Sequence, residues 1–268
     1  MFGCKKKDSI SLVAQSLFHE GSLGSTILKE MLLAMYSAGR IDLHSGKTGD
    51  SINQLKISRW RAIQRELAQR VLRIDCFVMP PRLVGGVDVA YHGHTAYATA
   101  VVLDYETLEM VESTTAESTV ENSYIPSFLA FRELKPMIKS IRKLRIAPDI
   151  LLVDAQGIAH PERCGSASHL GVVLDIPTIG VAKSLLIGEV SDLRKGVIGY
   201  LKDKEELIGA SIVSRVGSKP VYVSIGHKVS LDSAIKIVGA TTKEGNRIPE
   251  PLRLAHILAN LARSKASK

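Results

Sequence analysis

Ile150-Leu-Leu-Val-Asp-Ala-Gln-Gly157 decides how the rest of the chain is read. Its first four residues form a continuous apolar run, as expected for a strand buried on both faces rather than one with a wet side. Asp154 follows that run, so it stands at the C-terminal end of the strand. A strand covered on both faces needs helical crossovers beside it, and the flanking sequence supplies them. Pro126 sits where a helix can begin, and Phe128, Leu129 and Phe131 carry the apolar spacing. A second helix over roughly 166–174 leads to another buried strand, Thr178-Ile-Gly-Val181. Upstream, Val84–Tyr91, Ala96–Leu103 and Leu108–Ser118 read as three strands. They are joined by the short turns His92-Gly-His-Thr95 and Asp104-Tyr-Glu-Thr107. Tight turns make antiparallel neighbours and helical crossovers allow parallel ones. The fold class is therefore α/β, a mixed sheet flanked by helices. A charged amphipathic helix over 56–73, strands at about 208–215 and 220–225, and helices at about 231–239 and 251–263 complete it.

The first 50 residues differ. Leu12, Val13, Leu17 and Phe18 line one short helix, and Ile27, Leu28, Met31, Leu32 and Met35 a second. His44-Ser-Gly-Lys-Thr-Gly-Asp-Ser51 reads as a linker. The expected organisation is a helical N-terminal extension and linker over 1–50 and one α/β domain over 53–264. Gly46-Lys-Thr48 matches the end of a phosphate loop, but position 41 is Ile where the upstream glycine is required, so that reading fails.

Thirty-five Lys and Arg against 27 Asp and Glu give a formal charge of +8, which suits a polyanionic partner such as a phosphate backbone. Cys4, Cys76 and Cys164 have no paired spacing, which argues against a disulfide framework or a zinc cluster and fits a reducing compartment. No uncharged apolar run reaches the ~20 residues needed to cross a bilayer. The basic cluster at the start is not followed by an apolar stretch. A cytoplasmic protein is expected.

Asp88 lies between Val87 and Val89, in a strand that otherwise calls for burial. An acid in such a place is costly unless it is hydrogen-bonded, protonated or bound to a cation. Taken singly, Asp88 or Asp154 has a plain structural explanation, capping a turn or satisfying backbone donors. Together they are strand-end acids converging on the crevice where open α/β sheets hold ligands. Glu133 is placed at the end of the intervening helix. Three oxygen donors with no Cys or His cluster suit Mg²⁺ or Mn²⁺ better than zinc. Such an ion activates water and stabilises charge on a phosphoryl group. The polar loop 157–169 follows Asp154, and Lys183 follows the strand ending at Val181. Lys183 and His227 are ambiguous on their own, since a lone lysine after a strand is usually a solvated charge.

Seven segments in order carry a family likeness: 85–91, 124–133, 153–161, 168–171, 175–183, 226–234 and 247–256. They include Gly-Gly-Val-Asp-Val-Ala-Tyr, Val-Asp-Ala-Gln-Gly-Ile-Ala-His-Pro and Arg-Ile-Pro-Glu-Pro-Leu-Arg-Leu-Ala-His. Across about residues 53–260 the chain resembles the endonuclease V, or deoxyinosine 3′ endonuclease, family. The resemblance implies a ribonuclease-H-like fold and a Mg²⁺-dependent repair nuclease, with Mn²⁺ able to substitute. It implies cleavage at the second phosphodiester 3′ to inosine, leaving 3′-hydroxyl and 5′-phosphate ends. The expected partner is DNA or RNA carrying deaminated adenine, met by a monomer with no membrane attachment. Carried over by motif, Asp88, Glu133 and Asp154 are the metal-binding acids, Lys183 faces the reacting phosphate, and His160 and His227 support the site. Tyr124, with Ile125 and Pro126, is the wedge that fills the gap left by a displaced base, as an aromatic ring can when stacking is lost. Ser127 and Ala155 stand near the expected base pocket where the family commonly has glycine. Ser123 and Glu162 replace a common Pro and Arg.

Three rivals stay in view: a nuclease of the same fold that recognises distorted DNA, a lesion-binding protein without activity, and a phosphotransferase on a similar sheet. The last needs glycine-rich phosphate turns in two repeated halves, which this sequence lacks. A serine hydrolase built on Ser166, Ser168 and His169 fails because position 169 is not the second glycine of the elbow.

Overall fold

Ile150–Val153 is an interior strand of a nine-stranded sheet, β4, and every residue in it is buried. The computed structural model describes residues 49–120, 122–191, 198–215 and 217–266, with side chains from residue 54 onward. The helices expected over 12–18 and 27–35 lie outside them. In chain order the strands are β1 (Leu83–His92), β2 (Thr95–Asp104), β3 (Met110–Thr119), β4, β5 (Thr178–Ala182), β6 (Glu189–Val190), β7 (Ile198–Asp203), β8 (Glu206–Ile212) and β9 (Val221–His227). The helices are α1 (Gly49–Ala68), α2 (Ala130–Ile141), α3 (Ser166–Leu174), α4 (Leu231–Ala240) and α5 (Glu250–Ala266).

The spatial order β3-β2-β1-β4-β5-β9-β8-β7-β6 confirms the mixed sheet. β1, β2 and β3 form an antiparallel meander, and β4 runs parallel to β1 on one side and to β5 on the other. β9 returns antiparallel to β5. Because side chains alternate along a strand, β4 feeds two cores. Leu151 and Val153 join Val87, Leu134, Met137 and Leu170 under α2 and α3, while Ile150 and Leu152 join Val84, Ile179, Val223, Ile237 and Leu252 under α4 and α5. Each fully buried aliphatic side chain stabilises this arrangement by about 1.5–3 kcal/mol.

Several boundaries differ from expectation. α1 begins at Gly49, inside the stretch read as linker, and stops at Ala68 rather than 73. The helix expected from Pro126 starts only at Ala130, because Ser127 takes a left-handed conformation (φ +68°) that a helix cannot pass through. Glu133 is therefore in the first turn of α2, not at its end. Leu108 is also left-handed (φ +55°), so β3 starts at Met110. β6 and β7 were not anticipated; they sit at the exposed edge, where the periodic burial of β7 is shallow.

The inner end of α1 is fixed by aromatic packing. Trp60 stacks on Phe131 with centroids 4.7 Å apart, and the rings of Phe131 and His169 meet in a T-shaped arrangement with centroids 5.3 Å apart. His169 is fully buried and neither ring nitrogen has a hydrogen-bond partner. Burial, with a smaller contribution from His160, pushes its pKa down to about 3 from an ordinary 6.5. The folded protein thus holds this ring neutral while the unfolded chain binds a proton below pH 6.5. Stability from this residue is complete above 6.5 and falls as pH drops towards 3, by about 1.4 kcal/mol per pH unit. Urea titrations of the wild type and His169→Asn between pH 6.5 and 4 should show a steeper loss in the wild type. Equal slopes would refute a neutral buried imidazole.

Candidate active site

Strand register brings the first two acids together. Val87 is level with Val153 across the parallel pair, so Asp88 and Asp154 are the next residues on neighbouring strands, and the Asp154 amide donates to Val87 O at 3.5 Å. β1 continues past that point while β4 ends, which leaves Asp88 and Asp154 at the lip of the sheet. Glu133 arrives from α2. The Tyr91 hydroxyl, on the same side of β1 as Val87, donates to Glu133 Oε1 at 2.7 Å, and the Arg132 guanidinium lies 4.3 Å over the Tyr91 ring.

The electrostatics reflect this crowding. Burial first, then Asp88 and Asp154, push the Glu133 carboxyl up to about 8. Burial raises Asp154 as well; Lys183 works against that and Asp88 adds to it. Tyr91 is raised by burial and by Glu133. The burial and repulsion that disfavour charge on Glu133 and Asp154 are what a hard cation would relieve, and the oxygens of the three carboxyl groups are the donors such an ion takes.

Each acid has a different partner of its own. Asp154 pairs with the Lys183 ammonium, Asp88 Oδ2 lies 2.7 Å from His256 Nδ1, and Glu133 accepts from Tyr91. Among the described residues, no three His, Cys, Asp or Glu side chains converge as a closed metal site. The acids fit a divalent ion by chemistry and charge, and would turn from these partners to hold it.

His256 was missed in the sequence, although it closes one of the family-like segments. Its signal lies on α5, where Leu252, Ala255 and Ala259 mark the buried stripe and His256 stands at its margin. Gly86 sets the placement. A Cβ there would lie 2.4 Å from the backbone of Pro251, so only glycine lets α5 approach β1 this closely. From Pro251 to His256 is five helical residues, about 7.5 Å. Gly86 to Asp88 is two strand residues, about 6.6 Å, so the histidine arrives beside the acid.

His227, expected to support the site, is not brought into this group. It pairs with Thr178 at the start of β5, whereas Asp154 follows Val153, which pairs with Gly180. That sets His227 three strand positions, roughly 10 Å, back along the sheet. There its Nδ1 accepts from the Leu72 amide at 3.2 Å and its Nε2 faces Asp175, a structural tie at the opposite end.

A cavity of about 250 Å³ opens beside Asp154 and Lys183. Tyr124, Ser127, Ala155, Gln156, His160 and Gln64 are among its wall residues. Tyr124 stands at this wall with 63% of its surface exposed. Ile125 is half-buried and Pro126 exposed, and neither lines the cavity. Ala155 is buried, its amide donating to Val153 O at 2.7 Å. His160 Nδ1 accepts from the Glu162 amide at 3.1 Å, which leaves Nε2 to donate to Ser127 O at 2.8 Å. Burial keeps the His160 pKa low, so the ring works as a neutral brace. Glu162, where the family commonly has Arg, accepts from Arg61 at 3.1 Å and Arg65 at 2.7 Å and ties α1 to this loop. Ser127 occupies a left-handed position that favours glycine. Ser127→Gly is expected to stabilise the protein by about 1 kcal/mol, read as a raised melting temperature. A fall would mean the hydroxyl makes a contact that outweighs the strain.

Comparison with known proteins agrees with this architecture. The profile of the family described as Endonuclease V matches residues 65–257. The chain is 45% identical over 203 residues to the Endonuclease V of Thermofilum pendens, covering 76% of this chain and 87% of that protein. It is 47% identical over 202 residues to that of Trichormus variabilis, covering 74% and 91%. Among solved structures, the Endonuclease V of Streptomyces avermitilis superposes with a TM-score of 0.73 at 38% identity, covering 79% of this chain and 94% of that one. The Ciona intestinalis Endonuclease V, in complex with a 24mer DNA containing an inosine followed by a ribo-adenosine, gives 0.73 at 34% identity, covering 79% and 98%.

Proposed function

The chain belongs to the endonuclease V family and is a nuclease that hydrolyses phosphodiester bonds; from that premise we propose that it is a Mg²⁺-dependent repair endonuclease directed at deaminated adenine. It cuts the second phosphodiester bond 3′ to inosine and leaves 3′-hydroxyl and 5′-phosphate ends. The observation that carries this reading is the group of three mutually repelling acids at one sheet end, with Lys183 and a base-sized cavity beside them. The Ciona relative's complex with inosine-containing DNA supports the choice of substrate.

Asp88, Glu133 and Asp154 would hold the cation. Bound there, Mg²⁺, or Mn²⁺ in its place, supplies Lewis acidity and an activated water. Lys183, released from Asp154, presents its ammonium to the scissile phosphate. His256 steadies Asp88, and Tyr91 with Arg132 orients Glu133. Tyr124, at the cavity wall, fills the space left by a base turned out of the stack, with Ile125 and Pro126 shaping its loop. A cavity of about 150 Å³ admits benzene, so 250 Å³ takes a bicyclic base. The catalytic domain spans residues 53–264 and acts as a monomer in the cytoplasm. No helix among the described residues is long and apolar enough to cross a membrane.

The test is to incubate the protein with labelled DNA and RNA, single- and double-stranded, with and without one inosine. Mg²⁺ should produce a cut one nucleotide beyond the inosine's own 3′ phosphate, and a chelator should abolish it. Equal cutting of the adenine-containing controls would instead favour a nuclease of distorted DNA.

A further inference from the structure

Gln64 belongs to α1, a helix outside the sheet, yet its side chain reaches the cavity wall and is 1% exposed. Its Nε2 donates to Ser127 O at 2.8 Å and to Cys164 O at 3.4 Å. Two carbonyl acceptors on that side fix which end of the amide is nitrogen. Gln64 Oε1 is consequently the other end, and it is buried with no hydrogen-bond partner. Gln156, also on the cavity wall, repeats the pattern: its Nε2 donates to Ser184 O at 2.9 Å and its buried Oε1 has no partner. An unmade hydrogen bond at a buried acceptor costs about 1–3 kcal/mol, and two in one wall call for a ligand that carries donors.

We infer that Gln64 is a specificity-determining residue of this cavity, its Oε1 accepting the ring N–H of a lactam base. The inference rests on the proposed inosine-directed reading and adds to it how the base is chosen. Deamination of adenine replaces the 6-amino group with an oxo group and turns ring N1 from an acceptor into an N–H donor. An acceptor held by two main-chain carbonyls, and so unable to rotate its amide into a donor, favours the deaminated ring. Against adenine's N1 it would set lone pair against lone pair. Placing this residue on α1 also gives that helix a function, since the Trp60–Phe131 stack and the Glu162 bridges to Arg61 and Arg65 hold Gln64 in register with the pocket.

The measurement is a ratio: initial cleavage rate at hypoxanthine over that at adenine in the same strand, for wild type, Gln64→Leu and Gln64→Glu. A ratio is insensitive to the fraction of each variant that is folded. Gln64→Leu, with no acceptor, should lower it about tenfold or more. Gln64→Glu, which as a neutral acid keeps a carbonyl oxygen and donates one hydrogen, should retain most of it. If Leu leaves the ratio unchanged, or Leu and Glu lower it equally, Gln64 only braces Ser127 and Cys164 and the inference is overturned. A wild-type enzyme with no preference for hypoxanthine would overturn the proposed function itself, which is a separate result.

Discussion

Asp154→Asn is expected to reduce Mg²⁺-dependent cleavage by at least about 10³-fold while the folded protein keeps or gains stability in metal-free buffer. The two effects follow from one cause. Folding buries this carboxyl next to Asp88, and burial holds its pKa above the ordinary carboxylate range even with Lys183 opposite. A charge that the fold disfavours is retained for something other than stability. Removing it relieves repulsion on Asp88 and Glu133 and takes away one oxygen donor and the partner of Lys183. Asp88→Ala should abolish cleavage likewise, freeing His256 from its carboxylate. Single-turnover cleavage, thermal melting and fluorescence anisotropy with an inosine-containing oligonucleotide separate the terms. Nucleic-acid binding should be largely intact in both variants. Full activity in either would remove the acids from the reaction.

Gly86→Ala is expected to act in the opposite way, on the fold first and the chemistry second. The added methyl meets the carbonyl carbon and oxygen of Pro251 at 2.4 Å, and those are backbone atoms that cannot swing aside. Either β1 or α5 must move, at an expected cost of about 3 kcal/mol or more. For a domain of this size that lowers the melting temperature by about 6–12 °C. Because α5 carries His256, cleavage by the fraction that stays folded should fall as well. An unchanged melting temperature would mean that α5 slides freely over the sheet, and that the match between Gly86–Asp88 and Pro251–His256 is incidental.

The central sheet was legible because β4 and β5 are short unbroken apolar runs and β1 to β3 are joined by turns too tight for anything but antiparallel pairing. Strand-end logic also placed Asp88 and Asp154 side by side. The helix carrying Glu133 was misplaced because left-handed backbone at Ser127 is a property of the loop, not of residue type: serine does not announce a positive φ. His227 was ambiguous by itself and was assigned to the site only by the family motif; strand direction decides which end of the sheet a residue reaches, and β9 runs antiparallel to β5. His256 was hidden for the complementary reason. Its role depends on a contact between the last helix and the first strand, 168 positions apart, which no local pattern encodes. Gln64 likewise acts at a distance, 63 residues from Ser127 and 100 from Cys164.

The dependence of Asp88 on His256 has a consequence for how the protein is made. Synthesis runs from the N-terminus, and α5, Glu250–Ala266, is the last helix among the described residues. A nascent chain still holding that helix in the ribosomal tunnel carries all three acids, but the part of the sheet face that α5 covers is open and Asp88 lacks its neighbour. The same is true of any product truncated before residue 250. Competence therefore waits until α5 has been made, and a fragment released before it is left without the contact between His256 and its first acid.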